Sequence, residues 1–497
     1  MSEFVAPVKP PKKPAKTNSF YISPTSSTWA SVPSPSQSTK KRSTRKRLLK
    51  AFSRTVKQSP KLAKLLVKLC SSDSGSCITF GKYVKPFKKL FHDFTFFQYA
   101  QPEMRSIGAA SANGFVYEIA YEHHGVRAHT ILKCSLPDSM TKTVPDSLYY
   151  EYLVGHLFVN RANLQFPCFL ETYGAYDIPA TLVEDMAKVR PKTFPVDKLT
   201  AKATAFPPHH TIAEFAEQIH TSCEHQYNIA VLIQHISASY SMKSHFKLRY
   251  QDKNYYDLEL PQLLYQVYGP LSVLGETFTH YDLHRDNVLL YNLGARAYIQ
   301  MNYVYKDMTV SFKTHLICKI IDYGRSYFHV DEDINSEAVY HKVCEVCVDP
   351  DPDNACGAYK GYGFVDPNVS QSDLVDNHYI QSSRHNISHD LRLMNEFKVD
   401  SLFPKKTSSR LMNIFHNVEY ETMYGTPARA SDPSEEEFVN NVHDVTIQLG
   451  SLILEPGYQA ANTKFYAHAA SVGTLHVYMD GSSTKSMRFD PVNVKTK

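Results

Sequence analysis

The sequence predicts an α+β fold behind a disordered basic N-terminal extension, and three observations carry that expectation. Alternating, strand-like stretches (Ile107 to Val116, Arg127 to Lys133, Tyr227 to Ile236) share the chain with apolar residues at helical spacing (Asp146 to Phe158, Leu260 to Phe278). Loops carrying Asp, Asn and Gly separate them, as turn formers do. Charge also divides the chain: up to Lys68 there are 16 Lys and Arg against the single acid Glu3, so this stretch carries about +15 and the remainder about −10 of the net +5.

Taken in order, residues 1–70 form the extension. Pro7 to Pro35 is rich in Pro, Ser, Thr and Lys and too poor in apolar residues to repay the entropy of ordering. The cluster Lys40 to Arg47 and the basic amphipathic stretch Leu48 to Leu69 suit an anionic partner (nucleic acid, an acidic protein or an anionic membrane face) or a nuclear import signal. Ile107-Gly108-Ala-Ala-Ser111-Ala-Asn-Gly114-Phe-Val116 reads as a hairpin whose small side chains let backbone N–H groups approach phosphate oxygens; a plain hairpin reads the same way. Lys133 ends the next strand. Glu151 lies in a helix that Asp146 can cap. Met186 to Gln226 reads as an inserted loop and helix, Tyr227 to Ile236 as an apolar strand with a polar end, and the region after Asp400 as globular but unassigned.

The chemistry concentrates beyond Phe278. His280-Tyr-Asp282-Leu-His284-Arg-Asp-Asn287 sets a carboxylate and an amide at a fixed interval on one loop, and the apolar strand Leu316 to Ile321 leads to Asp322-Tyr-Gly324, a second carboxylate beside a glycine that lets the chain turn. Phosphoryl transfer needs such a set: one carboxylate to orient the attacking hydroxyl and accept its proton, with an amide oxygen and a second carboxylate to hold Mg2+. Asp282, Asp286 and Asn287 alone read equally as turn formers, but that leaves the second motif unexplained.

HYDLHRDNVLL with IIDYGRS resembles the protein-kinase superfamily, its haspin branch most of all, and is similar to the divergent serine/threonine kinases of large DNA viruses, especially iridoviruses. The resemblance spans residues 105–400. It implies a bilobal kinase-like fold, with 71–236 as an N-lobe carrying an insertion, 237–480 as a C-lobe with a long activation-segment insertion, and 481–497 as a tail. It implies ATP and Mg2+, with Asp282 orienting the nucleophile, Asn287 and Asp322 holding metal, Lys133 holding phosphates and Glu151 pairing with that lysine. Gly108, Ser111, Gly114 and Val116 would cover the nucleotide, the backbone near Gln234 and Ile236 would bond the adenine, and Asp390 would bond the catalytic-loop backbone. The plain alternatives are a solvent lysine at the strand end, an exposed helix charge at Glu151 and a helix N-terminal charge at Asp390.

The chain departs from the family pattern in places. Ser111 stands at the middle glycine position, the interval from Gly108 to Gly114 is one residue longer than usual, and no Ala-Pro-Glu follows the metal motif, a lack that haspin-like kinases share. His284 replaces the lysine near the acceptor, which puts the substrate in doubt. The implied activity is transfer of the ATP γ-phosphate to a Ser or Thr of a protein substrate. A small-molecule phosphotransferase of the same fold and a non-catalytic scaffold with a basic tail are the alternatives.

No stretch is long and apolar enough for a signal peptide or membrane span, so the protein is expected to be intracellular, in host cytoplasm or nucleus if viral, or packaged in the virion. Nine cysteines without a secretory signal suggest reduced thiols. His341, Cys344, Cys347 and Cys356 are either zinc ligands or free loop thiols.

Overall fold

The computed structural model describes residues 76–111, 114–135, 148–188, 193–225, 227–237, 240–294, 296–343, 364–365, 380–381, 384–400, 402, 409–420, 439–480 and 486–492. The basic extension, Asp146 and the three cysteines of the proposed zinc cluster lie outside these residues. The fold is α+β.

An antiparallel seven-stranded sheet comprises β1 (Glu103–Ser111), β2 (Gly114–His123), β3 (Val126–Ser135), β4 (Thr172–Pro179), β5 (Thr193–Pro195), β6 (Thr204–Ala205) and β7 (Tyr227–Gln234), in the order β5-β1-β2-β3-β7-β4-β6. Both edge strands fall in the stretch read as a looped insertion; that stretch extends the sheet at each side as well as supplying helix Ile212–Glu224. Short, backbone-driven pairings of this kind have no hydrophobic period to announce them. One face of the sheet buries Phe115, Tyr117, Ile119 and Tyr121 beneath Phe87, Phe91 and Phe94 from α1 (Val84–Leu90) and the turns after it. Phe91 and Phe94 stack at 4.9 Å, and Phe94 meets Tyr121 edge-on at 5.0 Å. The other face receives α2 (Leu148–Val154), whose seven residues are all buried.

The remainder is built around α3 (Leu260–Val273), buried along its length as far as Ser272. The helical run expected to reach Phe278 stops at Val273: the Phe278 N–H bonds the Leu274 carbonyl at 2.8 Å, closing a turn through Gly275, and Phe278–Thr279 is a short strand, β8. Strand β9 (Val288–Asn292) pairs with β12 (Leu316–Ile320), while β10 (Ala297–Val304) and β11 (Thr309–Thr314) form a hairpin in a second sheet. The Gln266 amide of α3 donates to the Leu316 carbonyl and accepts the Cys318 N–H, both at 3.1 Å. A buried glutamine is tolerated because its polar atoms are satisfied, and here they fix the strand that leads to Asp322.

Beyond β12, β13 (Tyr327–Asp331) pairs with β8 and with β14 (Ile334–Asn335), and the two-residue strands β15 (Phe364–Val365) and β16 (Ile380–Gln381) pair with one another. The region after Asp400 contributes α4 (Val442–Leu454), packed on α3, and β17 (Ala470–Tyr478), which runs parallel to β10. The C-terminal stretch expected as a tail holds a strand, β18 (Arg488–Pro491), paired with β17. Its Phe489 buries against Phe80, ring centroids 5.6 Å apart.

Cys134, Cys168 and Cys318 are buried thiols. Cys77 departs from the expectation of reduced thiols: it is disulfide-bonded. No helix among the described residues is long and apolar enough to cross a membrane.

Candidate active site

Strand β3 carries Lys133 opposite Val116 of β2 and Val231 of β7, so the lysine rises from the middle of the sheet. Helix α2 buries Glu151 beneath it, and the Lys133 Nζ lies 2.6 Å from Glu151 Oε1 and 3.7 Å from Asp322 Oδ1. Burial alone would discharge this lysine, but Glu151 and Asp322 outweigh it and hold its pKa above the ordinary lysine value. The other nearby glutamates are engaged elsewhere: Glu118 binds Arg105 and His129, and Glu171 binds Lys88 at 2.6 Å.

Asp322 follows β12 directly. Lys133 pulls its carboxyl below the usual range, against the effect of burial, and its side chain remains 46 % exposed. The sharp turn expected at Gly324 is made by Asp322 itself, at φ 69°; Gly324 is not left-handed. Aspartate tolerates that region better than most residues, and such strain gathers at functional sites. Tyr323 anchors the turn from behind, its hydroxyl donating to the Ile320 carbonyl and accepting the Leu170 N–H. Tyr150, next to Glu151, donates to the Ser326 carbonyl at 2.7 Å. The helix that holds the lysine is thereby tied to the loop that holds Asp322.

Asn287 closes the catalytic loop. Its Nδ2 donates to the Asp282 carbonyl at 2.9 Å, its own carbonyl accepts the Ile321 N–H at 3.0 Å, and its side-chain oxygen is left as the remaining acceptor. This amide oxygen and the Asp322 carboxylate are hard oxygens of the kind Mg2+ takes, so the donor set fits that ion.

Asp390 reaches the loop from the start of α5, a helix spanning Arg392–Lys398 and preceded by one 3-10 turn. Its carboxylate accepts the His280 N–H at 2.9 Å and the Tyr281 N–H at 3.1 Å, while burial pushes its pKa up to about 7. Tyr281 is left-handed at φ 60°, a second strained residue next to Asp282. The His280 ring accepts the Asp282 N–H on Nδ1 at 3.3 Å and donates from Nε2 to the Ile321 carbonyl at 2.9 Å. That pattern requires the neutral ring, in keeping with burial that lowers its pKa to about 4.

The Asp282 carboxylate is 15 % exposed and meets Arg392 Nη1 at 2.6 Å, Arg325 Nη1 at 3.7 Å and His284 Nε2 at 3.9 Å. Neither arginine was singled out in the sequence. Arg392 comes from 110 residues downstream, and no local spacing signals such a partner; the only hint is its place two residues after Asp390.

Other expected residues divide. Gly108 and Ser111 lie in β1, where the register breaks between Ile107 and Ser111. Gly114 is required by strand packing, since a Cβ there would overlap the carbonyl oxygen of Cys134. Val116 sits beside Lys133. Gln234 is not free to bond a base through its N–H, which donates to the Glu171 carbonyl at 2.8 Å, and its side-chain amide bonds the Cys77 carbonyl at 3.1 Å. Ile236 is buried just beyond the strand. His341 is 60 % exposed at the end of its helix, 3.8 Å from Glu337.

One other group has metal-ligand types: Glu118, His129 and His235, with ligand atoms within 4.8 Å of one another. Glu118 already takes Arg105, and although burial would raise its pKa, His129, Arg105 and His235 bring it down to about 2. A divalent ion there would face the Arg105 guanidinium, although the buried His129 Nε2 has no hydrogen-bond partner.

No family model matches the chain, and no curated protein matches it. The arrangement itself can hold a polyanion at Lys133, a divalent cation at Asn287 and Asp322, and a hydroxyl at Asp282.

Proposed function

We propose that the chain is an ATP- and Mg2+-dependent phosphotransferase with a bilobal kinase-like fold, acting on Ser or Thr hydroxyls of a protein. The observation that supports this best is the convergence of Lys133 on both Glu151 and Asp322, at 2.6 and 3.7 Å, beside a loop that carries Asp282 and Asn287. Four segments distant in sequence meet there, and phosphoryl transfer calls for such a set, which supports the reading.

Lys133 would bind the α and β phosphates, with Glu151 as a positioning residue that removes the freedom of a flexible ammonium. Asn287 and Asp322 would hold Mg2+, which when bound neutralises triphosphate charge. Asp282 would orient the acceptor hydroxyl. The hydroxyl oxygen forms the new bond to the γ-phosphorus as the bond from that phosphorus to the β–γ bridging oxygen breaks. ADP leaves with the electron pair, and the hydroxyl proton passes to Asp282.

The test is incubation of the purified full chain with radiolabelled ATP, Mg2+ and generic protein substrates. Label in protein is expected. Bound nucleotide with no label in any protein or small alcohol would leave only a scaffold, and label in the alcohol alone would favour a small-molecule kinase. The basic extension is proposed to bind an anionic partner, nucleic acid or acidic protein, and the compartment is proposed to be intracellular.

A further inference from the structure

The charge balance around Asp282 points beyond the catalytic step to the substrate. The carboxylates near the loop each have a partner. Asp286 pairs with Lys243 at 2.5 Å, Glu396 and Asp400 share Arg285 at 3.3 and 2.7 Å, and Asp322 faces Lys133 at 3.7 Å. Asp390 is held by two backbone N–H groups.

The cations are not balanced in the same way. Arg392 and Arg325 converge on the one carboxylate of Asp282, at 2.6 and 3.7 Å, and Arg325 also acts on Asp322, whose carboxyl it helps to hold below the usual range. Arg384 is exposed, and its carbonyl accepts the Tyr281 hydroxyl of the same loop at 2.8 Å. His284 adds an imidazole 3.9 Å from Asp282. The Arg325 and Arg392 side chains are 28 % and 35 % exposed, so water and ligand reach them. Two part-exposed guanidiniums on one reactive carboxylate can also receive a ligand that brings its own negative charge, since guanidinium recognises carboxylate or phosphate through paired N–H donors.

We infer that the phosphoacceptor segment is anionic: a Ser or Thr flanked by carboxylate side chains, or by groups already phosphorylated, whose charge is received by Arg325, Arg384 and Arg392. This rests on the kinase reading above. The acceptor hydroxyl approaches Asp282 between the guanidiniums, and the neighbouring acidic groups take over part of the charge that Asp282 alone now balances.

The test uses the full chain with Mg-ATP and three synthetic peptides that present the same Ser between Glu, Ala or Lys residues. The Glu-flanked peptide should show kcat/KM on the order of ten-fold above the Ala-flanked one, the sum of two exposed charge pairs, and the Lys-flanked peptide should be poorest. The preference should shrink as salt is raised. Arg384→Glu should erase much of the Glu-over-Ala ratio; Arg384→Gln serves the same purpose should the charge reversal fail to fold. Equal or better phosphorylation of the Lys-flanked peptide would overturn the inference and leave the kinase reading standing, as would a preference untouched by both variants. No transfer to any peptide would overturn the kinase reading, and this inference with it.

Discussion

On the proposed nucleotide side of the site one lysine stands between two carboxylates; on the proposed acceptor side one carboxylate stands between two guanidiniums. Lys133 is matched by the buried Glu151, so Asp322 keeps charge to offer a divalent cation. Asp282 has no surplus to offer, because Arg392 already occupies one of its oxygens at 2.6 Å. The first arrangement suits a ligand that arrives with its own cation, and the second suits one that arrives with its own anion. The two sides also differ in how they are supported. Lys133 rests on sheet hydrogen bonds, whereas Asp282 is held by side chains from α5 and the segment before it.

The largest effect expected from this contrast is at Asp282. Asp282→Asn should lower phosphoryl transfer by about 100-fold to 10,000-fold and leave the thermal shift given by Mg-ATP in place, because the group serves the acceptor and not the nucleotide. A lost shift would merge the two sides. Next come Lys133→Met and Asp322→Asn, which should remove most of that stabilisation along with transfer, as mass action requires when binding to the folded state is lost. Calorimetry of each variant with Mg-ATP would show it, and an undiminished shift in Lys133→Met would take that residue out of the site.

Arg392→Gln should be milder. Freed of the guanidinium, Asp282 loses its fixed orientation, and kcat should fall roughly ten-fold to 100-fold with the KM for ATP unchanged. Arg392→Lys should restore part of the rate, which a merely structural role would not require.

A smaller effect is expected from pH. His280, His235 and His389 are buried and neutral, with pKa values lowered by burial to about 4, 4 and 3. The unfolded chain takes up these protons near pH 6.5, before the folded protein does, so the stability they confer is complete above that value and is lost as pH falls toward 4. Asp390, with its pKa near 7, works in the opposite direction and offsets only part of this. Melting temperatures between pH 7 and pH 4.5 should therefore decline, and a flat profile would mean that the rings are hydrated. The smallest effect on transfer should follow deletion of residues 1–70. Salt-sensitive binding to nucleic acid should vanish while transfer to a peptide stays the same.

What could be read in the sequence was what local spacing encodes. Asp282 and Asn287 share a loop, Asp322 follows a strand and Lys133 lies near the end of one, so each is specified by its neighbours. Glu151 follows from the resemblance, and Glu118 and Glu171, the other glutamates near Lys133, have other partners. Arg325 and Arg392 escaped notice because the partner of each lies across a fold that residue spacing does not encode. The strands β17 and β18 were missed for a related reason: β10 pairs with β17 in parallel, across 173 positions from Ala297 to Ala470. Gly114 and Gln234 were given ligand roles although sheet geometry accounts for them, since a glycine needed by strand packing and one needed by a phosphate look alike in sequence.

The backbone at Asp322 bears on how an inert form of the protein should be made. At φ 69° an alanine would carry a steric cost of about 1–2 kcal/mol, so Asp322→Ala would mix the absence of a metal ligand with a loosened turn behind it. Asparagine enters the left-handed region readily and keeps the shape of the side chain. A cell biologist in need of a silent but intact copy should take the asparagine, and a crystallographer who wants to trap nucleotide without turnover should leave Asp322 alone and change Asp282.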